Sequence, residues 1–147
     1  MAVVTADILV EGIRRDAVFD WLANPAHHRQ IVEGAFDGLD EDGPGAFRLQ
    51  VRTPPRTRLL EYTFDRVDDS HGGRRVHVTT GGKRFRGKLS YSLRTMKPST
   101  NTLVTMHMDF DPGSMLGQML VGMGISDALH RSFKAALANL SRALPRD

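Results

Sequence analysis

The chain has no cysteine. That excludes a disulfide framework, a thiolate nucleophile and any cysteine-based zinc site. No run of residues approaches the ~20 consecutive apolar positions that a membrane-spanning helix requires. The start, MAVVTADILVEGIRRD, carries acids early and lacks the basic opening and small-residue cleavage site of a secretory signal, so a cytoplasmic location is the default expectation. The motifs of common chemistries are also missing. There is no phosphate-binding P-loop, no G-x-G-x-x-G, no G-x-S-x-G and no H-E-x-x-H. Acids are scarce in one region: between Ser70 and Met108 there is no Asp or Glu, while Arg74, Arg75, Lys83, Arg84, Arg86, Lys88, Arg94 and Lys97 all fall there. Such segregation is either a basic face for nucleic acid or anionic lipid, or the solvated outer side of paired strands.

What is present reads as an ordinary globular chain. Its 147 residues, 40% hydrophobic and 25% charged, suit a single domain spanning 1–147. A chain of this length buries roughly 70% of its unfolded surface. Residues Val3 to Gly12 alternate apolar and polar, which is the pattern of a half-buried strand. A helix follows from about Arg15 to Ala23, with Ala17, Val18, Trp21 and Leu22 on one face. Asn24-Pro25 ends it and starts a second, Asn as cap and Pro at the first helical position, running to Val32 before Gly34. A weak strand is expected over Ala35–Leu39, then a turn over Asp40–Gly45.

Strands then alternate with turns. Phe47, Leu49 and Val51 form one inward series, Leu60, Tyr62 and Phe64 the next, and Val76 and Val78 a third. A turn at Gly81-Gly82 leads to Phe85, Leu89, Tyr91 and Leu93, and the last strand carries Val104, Met106, Met108 and Phe110 inward. From Pro112 to Leu144 apolar residues recur at helical spacing: Leu116, Met119, Leu120, Met123, Leu129, Phe133, Ala136, Leu137 and Leu140. Gly117, Gly122 and Gly124 interrupt its Met-rich first half, where adaptable side chains suit a surface that closes over variable contents. Each strand has one apolar face, and this helix is the element long enough to cover it. The class is α+β, with about six to seven antiparallel strands curled around a C-terminal helix.

The order strand, two short helices, strands and long helix resembles the helix-grip fold of the START/Bet v 1-like superfamily. The segment Asp16-Ala-Val-Phe-Asp-Trp-Leu-Ala-Asn-Pro-Ala-His-His28 looks like the first helix and junction of its polyketide cyclase/dehydrase and lipid-transport-like (SRPBCC) branch. The resemblance implies a cavity between sheet and long helix that holds a lipid, sterol, quinone or polyketide. Some relatives cyclise or dehydrate polyketides, and others bind or carry. It implies no universal catalytic motif.

Candidate residues follow from the apolar faces. Ligand pockets are mostly apolar with a few placed polar groups. Trp21, Tyr62, Phe64, Phe85, Tyr91, Met106, Met108, Phe110, Met115, Met119 and Met123 fit a cavity lining, with Gly122 and Gly124 as its gate. The alternative is that these side chains pack on one another and leave no void. Tyr62, Tyr91 and His130 are candidate proton donors. Glu61 and Asp109 fall on the water face, as do His77 and His107. His27 and His28, about 100° apart on a helix, cannot easily share a metal and are expected at the surface. No metal and no cofactor is expected.

The leading expectation is a monomer or homodimer that binds a hydrophobic small molecule. Burying ~300 Å² of ligand would supply on the order of 7 kcal/mol before the costs of association. The alternatives are a cyclase or dehydratase using the same cavity, and a basic interaction module built on residues 74–97. Nucleic acid is not the expected partner, because the outward face of Arg84, Lys88 and their neighbours lacks aromatic residues for base stacking.

Overall fold

Period-two alternation builds a seven-stranded sheet. The computed structural model describes residues 2–70, 74–111 and 124–146. Its strands are β1 (Ala2–Val10), β2 (Gly38–Gly43), β3 (Ala46–Thr53), β4 (Arg56–Asp68), β5 (Arg74–Gly81), β6 (Arg86–Thr95) and β7 (Thr102–Asp111). Every pairing is antiparallel, in the order β1-β7-β6-β5-β4-β3-β2, so the first and second strands form the two edges. The link between those edges carries α1 (Arg15–Leu22), a 3-10 turn (Pro25–His27) and α2 (His28–Val32). The last element is α3 (Ser126–Ala143). No helix among the described residues is long and apolar enough to cross a membrane.

Register aligns the inward residues into rows across the curved sheet. Ala6, Met106, Tyr91 and Val76 lie opposite one another along β1, β7, β6 and β5. The neighbouring row runs Val4, Met108, Leu89, Val78 and Phe64. All are buried except Phe64, which is half-buried. Helix α3 buries Ala128, Leu129, Ser132, Phe133, Ala136, Leu137 and Leu140, a stripe at helical spacing. Asn139 on that helix donates to the carbonyls of Ile31 and Glu33, both at 3.0 Å. Those carbonyls end α2 without helical partners, so α3 satisfies what α2 leaves open.

Three boundaries differ from the sequence reading. The second strand begins at Gly38 and runs through the acids assigned to a turn, with the turn reduced to Pro44-Gly45. As an edge strand with neither face fully buried, β2 shows no alternation to read. Phe85 is buried but sits in the β5–β6 connection. Finally, Gly124 has φ +106°, a left-handed value, and the described part of the C-terminal α-helix starts after it, at Ser126. Residues 112–123 lie outside the described set, and with them Met115, Met119, Met123 and Gly122.

Candidate functional site

The site begins with a helix end. Helix α1 stops before Asn24-Pro25, where Asn24 accepts from Ala26 N at 3.0 Å and Pro25 opens the next turn. A helix end leaves carbonyls without partners. Two consecutive histidines bond two of these terminal carbonyls, one of which, Trp21 O, also accepts from Asn24 N at 3.3 Å. His27 Nδ1 donates to Trp21 O at 2.7 Å, its ring stacked on the indole at 4.6 Å between centroids. His28 Nε2 donates to Leu22 O at 2.8 Å. Adjacent helical residues diverge, so His27 stays near the surface while His28 turns fully inward at 0% exposure.

There His28 meets the sheet. Its Nδ1 lies 2.6 Å from the Tyr62 hydroxyl, and that hydroxyl lies 2.8 Å from the hydroxyl of Tyr91. Tyr62 is on β4 and Tyr91 on β6, with β5 between them. Next-nearest strands are about 9–10 Å apart, so only long side chains leaning across β5 can touch. The rings of Phe64 and Tyr91 meet the imidazole edge-on at 5.2 and 5.8 Å, and Phe47 lies 5.7 Å from Tyr62. The result is a buried polar chain, His28–Tyr62–Tyr91, in apolar surroundings.

Burial governs its electrostatics. Loss of solvent, with a smaller push from the neighbouring His27, lowers the His28 pKa to about 4 against the stabilising Leu22 carbonyl. His28 is therefore neutral near pH 7. Desolvation raises both phenols well above the ordinary tyrosine value, so each keeps its proton. The chain holds no net charge, and its contacts are neutral hydrogen bonds.

The structure thus brings together Tyr62, Tyr91 and a residue that sequence reasoning assigned to the surface. The correction concerns His28. The one signal in the sequence is spacing: His28, Ile31 and Val32 share one face of α2, and all three are buried. Met106, Met108, Phe85 and Phe110 are fully buried on the same inner side, with the Phe85 and Phe110 rings 5.9 Å apart. Trp21 goes elsewhere: with Ile13 and Leu144 it lines a groove of about 820 Å³ that also holds Glu11, Arg14, Asp20 and Arg146. His130 is exposed and contacts Thr5 O on β1 at 3.0 Å, so it does not join the tyrosines. His77 and His107 are half-buried, and His107 pairs with Asp109 at 3.2 Å. A cavity of about 410 Å³ opens between Ala35, Arg52, Pro54 and the Ala128–Ser132 turn of α3. Among the described residues no cluster of three His, Asp or Glu side chains could hold a metal.

The basic segment is partly neutralised. Arg74 bridges Asp16 of α1 at 3.1 Å and Asp69 at 3.0 Å, and lies 4.9 Å over the Phe19 ring. It ties α1 to β5, while Arg75, Lys88 and Arg94 remain on the exposed side.

No protein-family model matches this chain, and no curated protein matches it in sequence. Solved structures do match in shape. Norcoclaurine synthase from Thalictrum flavum superposes with a TM-score of 0.62 at 15% identity, over 96% of this chain and 84% of that one. The same enzyme has been solved with dopamine and hydroxybenzaldehyde. The Zhui aromatase/cyclase from a Streptomyces species matches at 0.59 and 14% identity, over 96% and 92% of the two chains. The KanY protein matches at 0.66 and 15%, over 97% of each. Element order, sheet topology and these superpositions agree: the fold of this chain is the helix-grip fold, an antiparallel sheet curved against a C-terminal helix.

Proposed function

We propose that this chain binds a hydrophobic small molecule between the inner face of the sheet and the C-terminal helix, with the His28–Tyr62–Tyr91 chain as the polar anchor. One observation carries the reading: three side chains hydrogen-bonded to one another are assembled at full burial on a mostly apolar face. Ligand sites have this composition, a few convergent polar groups in an apolar lining. A fold shared with an enzyme solved around two small aromatic molecules supports the same reading. Phe64, Phe85, Met106, Met108 and Phe110 supply the wall. Native mass spectrometry of the protein purified from its source, followed by solvent extraction, tests it. A stoichiometric apolar adduct is expected; protein of bare mass that also takes up no apolar probe would contradict it.

The same chain favours a second reading, a cyclase or dehydratase acting on a polyketide-like substrate. A neutral imidazole at the inner end is a proton acceptor that Tyr62 can reach, and a shaped cavity supplies proximity without many catalytic groups. A substrate O–H or C–H would pass its proton to Tyr91, the Tyr91 proton would move to Tyr62, and the Tyr62 proton to His28 Nδ1. Under this reading Tyr62→Phe lowers turnover about a hundredfold or more with little change in affinity. A binder shows no turnover at all and responds to Tyr62→Phe in affinity alone.

A further inference from the structure

The buried chain has a direction, and a single carbonyl sets it. A carbonyl oxygen only accepts, so the 2.8 Å contact with Leu22 O fixes the ring proton of His28 on Nε2. In the neutral ring Nδ1 then carries a lone pair. Tyr62 must donate its O–H across the 2.6 Å contact to satisfy it. A phenol has one proton, and Tyr62 has now committed its own. The 2.8 Å contact between the two hydroxyls is therefore held by the proton of Tyr91. Tyr91 is left with lone pairs and no free proton, and Tyr62 is its hydroxyl's one hydrogen-bonding partner among the described residues.

We infer that the Tyr91 hydroxyl is an acceptor-only anchor, so the ligand taken by this site is a hydrophobic molecule bearing a hydroxyl or N–H donor, while ethers, ketones and esters of the same shape are rejected. This assignment presupposes that the interior admits a guest, as proposed above. A ligand hydroxyl completes the chain at its outer end. An ether or carbonyl oxygen there would set lone pair against lone pair, and a buried site built for a donor discriminates strongly against an analogue lacking one.

The test is a calorimetric titration at neutral pH with β-naphthol and β-naphthyl methyl ether, which share a ring system but differ in the donor. The ether is the more apolar of the two, so hydrophobicity alone favours it. Wild-type protein should nevertheless bind the naphthol about tenfold tighter. Tyr91→Phe should bring the two within about twofold of each other, because the acceptor is gone. Tyr62→Phe releases the Tyr91 proton, and methyl β-naphthyl ketone should then bind about tenfold tighter than it binds wild type. Equal wild-type affinities for naphthol and ether would overturn the acceptor-only assignment while leaving ligand binding intact, and so would a preference that survives Tyr91→Phe. The wild-type comparison requires no variant to fold. Binding of neither probe would contradict the ligand-binding reading itself.

Discussion

His28 is where burial has its largest chemical consequence. Its pKa falls from the ordinary 6.5 to about 4 on folding, so between these values the unfolded chain holds a proton that the folded chain refuses. Stability therefore rises with pH across that window: the contribution is fully present above pH 6.5 and is lost as the pH falls towards 4. At roughly 1.4 kcal/mol per pH unit the loss is about 3 kcal/mol. His28→Gln offers an amide N–H to Leu22 and an amide oxygen to Tyr62 but does not titrate in this range. Urea unfolding of this variant should show a midpoint much less sensitive to pH than that of wild type between 6.5 and 4. The residue also shows where sequence reading stopped. Two adjacent histidines at a helix start look solvated, and their separate fates depend on where the α1 carbonyls and the tyrosines lie in space. The two phenols were legible because strand parity alone turns them inward.

At the scale of elements, close approach and docking decide the cost of substitution. Gly87 of β6 faces the backbone of β7, and a Cβ there would collide with the carbonyl of Asp109. Gly87→Ala should destabilise by about 1–3 kcal/mol through separation of the two strands, read as a lower urea midpoint. Asn139 of α3 holds the end of α2 through two carbonyls. Asn139→Ala should cost about 1–2 kcal/mol and raise hydrogen exchange at the end of α2 before other elements respond. Strands β3 to β7 were readable because each presents one buried and one wet face. The edge strand β2 was not, since residues 40–42 are exposed acids and a register shift follows Glu41. Those same charges blunt an edge that would otherwise offer unpaired backbone groups to another chain.

For the whole molecule, element order carried more information than residue identity. Neighbours at 14–15% identity share the architecture across nearly the full chain, because the fold needs only alternation, turn chemistry and one amphipathic helix to close the sheet. The site is not encoded in that way. It depends on three side chains from α2, β4 and β6 that converge only after folding. The central claim is that a guest molecule occupies the space against their inner face. Methyl-labelled methionine spectra recorded during titration with β-naphthol test this directly, since Met106 lies opposite Tyr91 in register and Met108 opposite Leu89. The account predicts saturable shifts at Met106 and Met108, with the Met106 shift diminished in Tyr91→Phe. Saturating probe that leaves both methyls unmoved while perturbing the indole of Trp21 would place binding in the outer groove and contradict it.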